Sequence, residues 1–186
     1  MKDNIAVGAM SGVIGGAIGM TYSYSMFLLG ITPLSSVHLA ATLVVIDVIN
    51  LTALGYLNAI FTHLLVAAFF GVLLTYLLLY TGKDFWLLKG IGFGALFCLM
   101  THAYFIPLMR TDEQVRTLIF DAPSWSVALS THMLIGLITV TFIIKFHYLF
   151  SKHQSETGSD FKTIVESQYF TPAPACKKSK PRKARP

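Results

Sequence analysis

The sequence predicts an all-α integral membrane protein: a four-transmembrane-helix bundle with an extra short outer helix, interfacial or re-entrant, and a disordered basic C-terminal tail. Three observations predict it. Of 186 residues, 54% are apolar and only 12% are charged, about half the charge content of an ordinary soluble domain. Lipid therefore replaces water as the solvent. Before Ser151 the charges sit in short islands, at Lys2 and Asp3, from Lys83 to Lys89, from Arg110 to Asp121 and at Lys145, with Asp47 the lone exception. The stretches between the islands reach the roughly 20 residues that cross about 30 Å of hydrocarbon at a 1.5 Å rise.

Four such stretches are expected as spans, at residues 5–29, 57–80, 85–108 and 125–148. The first lacks the strongly basic start and small-residue cleavage pattern of a signal peptide, so it is read as an anchor. Residues 39–51 are apolar but too short to span beside the second helix. The segment 37–52 is therefore read as the short outer helix, with Ser35 or Ser36 as its N-cap; a fifth span is the rival reading.

An even number of spans puts both termini on one side. That side carries twelve of the fourteen basic residues, against Arg110 and Arg116 on the other, and basic residues near span ends mark the cytoplasm. The chain is thus expected to be multi-pass with cytoplasmic termini. It divides into a transmembrane domain, residues 1–150, and a cytoplasmic tail, residues 151–186, that is too poor in apolar side chains to fold alone. Residues 160–170 are read as a short surface helix.

The formal charge of +5 belongs mostly to the tail, where Lys177, Lys178, Lys180, Arg182, Lys183 and Arg185 alternate with prolines. Such an arm is expected to bind anionic lipid head groups, beside the plainer reading of a solvated tail with no specific partner, and no nucleic-acid partner is implied. Cys98 falls inside the third span and Cys176 in the tail, so the two cysteines form no structural disulfide.

Ionisable groups inside a bilayer are costly and usually face a bundle interior. The candidates are His63, His102 and His132, each about six or seven residues inside one end of its span and so roughly 9–11 Å deep. Each shares a helical ridge with small residues: His63 with Ala67 and Gly71, His102 with Cys98, Gly94 and Gly90, His132 with Ala128 and Gly136. Gly8, Gly12, Gly15 and Gly19 form a stripe on the first span that also carries Tyr22, and small residues mark helix contacts in membranes. The four faces are expected to meet in one layer.

Three imidazoles on separate helices suit zinc or copper. Two of them suit haem b, and together with Tyr22, Thr62, Thr101 and Thr131 they suit a proton relay. Asp47 is a candidate second-shell acceptor from the outer segment, beside the plainer reading of a helix residue facing interfacial water.

Met20–Tyr24 resembles Met100–Tyr104, and Thr62-His63 resembles Thr131-His132, as in two helical hairpins repeated about an axis along the membrane normal. No nucleophile elbow, paired zinc-binding histidines on one turn or phosphate loop occurs, so an enzyme is not the expected class. The reading is a small polytopic protein, a subunit of a larger membrane assembly or a homo-oligomer, whose histidine cluster binds a metal or haem or relays protons. The rivals are a structural accessory protein and a small transporter built from two hairpins.

Reporter fusions at Lys2, Lys83, Arg116 and Ser159 are expected to place only Arg116 outside the cell. An external signal from Ser159 would mean that the span count is wrong.

Overall fold

The computed structural model describes residues 4–44, 51–109, 117–118 and 120–169. Four helices are long and apolar enough to cross a membrane: Asn4–Leu28, Ala53–Thr81, Trp86–Leu108 and Ala122–Phe146. We label the elements α1 (Asn4–Leu28), α2 (Ser36–Ala41), α3 (Ala53–Thr81), α4 (Trp86–Leu99), α5 (Ile106–Met109) and α6 (Ala122–Tyr169). A π-helical turn, Met100–Phe105, joins α4 to α5 within the third span. Large apolar side chains cover the rim of the bundle, as on α3, where Phe61, Leu65 and Phe69 are 59–70% exposed along one ridge. Such a face calls for an apolar neighbour, lipid or another membrane protein.

Residues 1–147 form one compact unit and residues 148–186 another. In the second unit the described backbone is helical as far as Tyr169, which takes in the segment read as a short surface helix. The polybasic residues Lys177, Lys178, Lys180, Arg182, Lys183 and Arg185 lie outside the described residues, as does Asp47.

Two hairpins build the bundle, α1 with α3 and α4 with α6, and one crossing holds each of them. A Cβ added at Gly12 would strike the Ala67 carbonyl, and one at Gly71 would strike the Gly8 carbonyl. In the second hairpin a Cβ at Gly94 would strike the His132 carbonyl, and one at Gly136 the Gly90 carbonyl. The contacts match position for position, with Gly8, Gly12, Ala67 and Gly71 answering to Gly90, Gly94, His132 and Gly136. Only hydrogen at Gly12, Gly71, Gly94 and Gly136 lets the backbones meet, and this is how helices associate where no hydrophobic effect drives them together. The registers that match differ from the one suggested by Met20–Tyr24 and Met100–Tyr104: contact equivalence pairs Met20 with His102.

The glycine stripe of α1 divides between two neighbours. Gly8, Gly12 and Gly16 face α3, whereas Gly15 and Gly19 pack on Thr139 and Ile135 of α6, and the Tyr22 hydroxyl meets the Ser130 hydroxyl of α6 at 3.2 Å. Between α3 and the third span, Phe70 fills the gap with its ring 5.1 Å from those of Phe93 and Phe97.

The short helix α2 is buried rather than laid on the surface. Val37 and Ala41 join Leu34, Ala59 and Ile106 in one cluster. The Ser36 N–H donates to Ser23 Oγ on α1 at 2.9 Å, and the Thr32 and Ser124 hydroxyls meet at 3.1 Å. Ser35 is the N-cap, and its backbone N–H donates to His38 Nδ1 at 3.3 Å, so histidine takes the part that glutamate plays in a capping box. Burial lowers the pKa of His38, which suits this acceptor role. Packed between Phe27 and Tyr56, the imidazole closes one end of the bundle.

At the other end, the turn from α3 into α4 uses two residues with positive φ, Gly82 at 79° and Phe85 at 53°. Lys89 Nζ donates to the Thr81 and Gly82 carbonyls at 3.0 Å, satisfying acceptors that the end of α3 leaves open.

Gly12→Leu and Gly94→Leu are each expected to force a hairpin apart, lowering stability in detergent by about 1–3 kcal/mol or more. Gly92, with nothing near its Cβ position, is the control. Equal melting of Gly94→Leu and Gly92→Leu would show that the crossing is not tight.

Candidate functional site

The imidazole layer lies just above the second crossing, toward α2. His63 and His132 each stand ten residues inside their helices, counted from Ala53 and Ala122, roughly 15 Å from those helix starts. His132 lies directly at the crossing, because its own carbonyl faces Gly94. Cys98 follows Gly94 by one helical turn and His102 follows Cys98 by another, which keeps all three on the face turned to α6.

The structure brings together Cys98, His102 and His132. The Cys98 thiol sulfur and one ring nitrogen from each histidine lie within 4.8 Å of one another. The His102 and His132 rings are nearly perpendicular, at 88°, with centroids 5.3 Å apart. Cys98 is fully buried and His102 is 3% exposed.

Hydrogen bonds orient the rings. His132 Nδ1 lies 2.8 Å from the Ala128 carbonyl. A carbonyl only accepts, so Nδ1 carries the proton and Nε2 keeps its lone pair in the neutral ring; this is the arrangement by which outer partners orient ligating histidines. His102 Nδ1 faces the Thr101 hydroxyl at 3.1 Å and Cys98 Sγ at 3.7 Å, and His102 Nε2 is buried without a partner. The His102 ring packs edge-on against Trp125 at 5.7 Å, which limits its rotation.

His63 comes from the other hairpin and stands beside this group rather than in it. Its ring lies against Gly16, with Nε2 buried and lacking a partner of hydrogen-bonding geometry. It shares with His102 and His132 the wall of a cavity of about 310 Å3 between the second and third spans. Phe70 and Phe97 line the inside of that cavity, and the exposed Phe69, Met100 and Phe105 line its lipid side.

A second cavity of about 20 Å3 lies under α2, its wall mostly apolar from Leu34, Leu39, Leu118 and Val127, with Ser36, Thr131, His102 and His132 also lining it. That is room for about one water molecule. The Ser36 Oγ atom is buried without a partner there.

Hydrogen bonds and burial place the remaining described residues singled out from the sequence. Thr131 Oγ1 bonds the Val127 carbonyl at 2.6 Å, and Thr101 Oγ1 bonds the Phe97 carbonyl at 2.9 Å. Thr62 is half-buried beside His63, and Tyr22 is taken up by Ser130.

Cys98 as a donor, and the π turn, went unread in the sequence. The turn has a legible cause. Pro107 lacks an N–H, and in a regular helix its ring would collide with the Ala103 carbonyl, four residues back. The backbone widens instead: the Ile106 N–H bonds Thr101, five residues back. The widened turn runs through His102 itself, and π bulges recur at functional sites.

The chain matches no protein-family model, and no curated protein or solved structure matches it.

Proposed function

We propose that this multi-pass membrane protein binds one transition-metal ion through Cys98, His102 and His132. The observation that carries the reading is the convergence of one thiol and two imidazoles within 4.8 Å, from two helices, in a buried layer. Isolated buried imidazoles are satisfied by hydrogen bonds, yet here His102 Nε2 has no partner and the His132 tautomer leaves a lone pair on Nε2. Four-coordinate bonds of about 2.0–2.1 Å to nitrogen and 2.3 Å to sulfur set donors roughly 3.3–3.6 Å apart, so rotamer shifts of about an ångström close the site.

The donor set favours an ion over haem b. A macrocycle held by His102 and His132 would have to lie between them, where the rings already touch edge to face at 5.3 Å and the thiol stands beside them.

One site per chain is expected. At positions equivalent to Cys98, His102 and His132 the first hairpin carries Gly16, Met20 and Ala67, and it supplies His63 only as a cavity-lining neighbour. The lipid-facing rim suits a subunit or homo-oligomer in a larger membrane assembly, oriented with both termini in the cytoplasm and the basic tail on anionic head groups. A proton relay through the cavity under α2 is the second reading, supported by the contact of that cavity with both histidines.

Metal analysis of the purified chain tests the proposal. Cys98→Ala, His102→Ala and His132→Ala are each expected to lose about 100-fold or more in affinity, since even outer partners of ligands are worth 10–100-fold. The triple variant should resemble the singles, as groups acting as one unit do. His63→Ala should retain most binding. Full binding by the three single variants, with additive losses of thermal stability, would leave the cluster as packing or as a proton path.

A further inference from the structure

We infer that the ion is soft and monovalent, Cu(I), and that it enters the site in exchange for one proton. The inference rests on the metal-binding reading above and takes its direction from charge. The four spans contain no aspartate or glutamate anywhere along Asn4–Leu28, Ala53–Thr81, Trp86–Leu108 and Ala122–Phe146. Their two lysines, Lys89 and Lys145, add positive charge and stand at the ends away from the donor layer. The only group in the donor set that can become an anion is Cys98; the two imidazoles are neutral ligands.

The balance follows directly. On binding, the Cys98 S–H bond breaks, an S–Cu bond forms and H⁺ leaves for solvent, so the layer is neutral before and after. Zn(II) bound by the same three side chains leaves a net charge of +1 among Phe97, Phe70 and Ile135, which line the adjoining cavity. An uncompensated buried charge is among the most expensive features a membrane interior can hold.

One further feature agrees with a monovalent ion. Thiolate suits Cu(I) and Zn(II) alike, but a three-donor set is complete for Cu(I). Zinc sites instead take a fourth ligand; His63 in that place leaves the excess charge where it was, and a bound water removes it only by releasing a second proton, which the proton count in a titration distinguishes.

The full chain in lipid nanodiscs tests this, titrated under reducing, oxygen-free conditions with Cu(I), with Ag(I) as a redox-inert probe, and with Zn(II). One Cu(I) or Ag(I) is expected per chain, with release of one proton and at least 100-fold preference over Zn(II). A carboxylate placed on the cavity wall by Val66→Asp, or by Met100→Asp on its half-exposed side, should narrow that preference at least tenfold, with retained Ag(I) binding as the check on folding. Zn(II) binding as tightly as Cu(I) in the native chain would overturn the inference and leave the metal site standing. An unchanged preference in a carboxylate variant that still binds Ag(I) would overturn the charge argument. Binding of none of the three ions would remove the metal reading itself.

Discussion

The backbones of neighbouring helices come into contact at glycine, and the rest of the arrangement depends on it. In lipid, exclusion of water does not hold helices together; close packing and polar contacts have to. Gly12 against Ala67 and Gly94 against His132 allow contact between main chains, with carbonyls sitting where a Cβ would be. Such contacts permit weak Cα–H···O bonds and bring side chains one turn away within reach of one another. Cys98 and His132 belong to different helices and meet because His132 sits at the crossing, opposite Gly94, and Cys98 lies one turn beyond Gly94.

Repeating the crossing creates a frame, and the two hairpins differ in what they display on it. The first hairpin spends its crossing on packing, with Gly15 and Gly19 of α1 also receiving α6. The second presents three donors from the same frame. The π turn at Met100–Phe105 belongs only to the second, where Pro107 imposes it. On the first hairpin the corresponding end is closed by α2, whose buried Val37 and Ala41 pack on Ala59 and Ile106. The donor layer is therefore roofed by α2, floored by the glycine crossing and open sideways through the cavity lined by His63.

Much of this was legible in the sequence because its physics is local. Span length and the sparse charge islands predicted four crossings, and the boundaries moved by four residues at most, as at Ala53 in place of Leu57. His102 and His132 stood out because ionisable side chains are rare in apolar segments, and the glycines because they recur along one ridge. What was not legible depends on neighbours. Cys98 reads in one dimension as one more small residue on the ridge of His102; its part as a donor appears only when α6 brings His132 alongside. His63 shares the depth of the other histidines but belongs to the hairpin whose crossing turns it toward Gly16. The stripe of α1 reads as one face and serves two, since a helix between two partners presents Gly12 and Gly15 to different neighbours. The repeat suggested by short matches such as Thr62-His63 with Thr131-His132 has a different register from that of the two crossings, which pairs His132 with Ala67.

The central claim is that the second glycine crossing holds one thiol and two imidazoles around a single ion. X-ray absorption of the metal-loaded chain observes that shell directly. The account predicts one sulfur at about 2.3 Å and two nitrogen scatterers at about 2.0 Å, with imidazole outer-shell features, and loss of the sulfur shell in Cys98→Ala. A shell of oxygen and nitrogen without sulfur would contradict it.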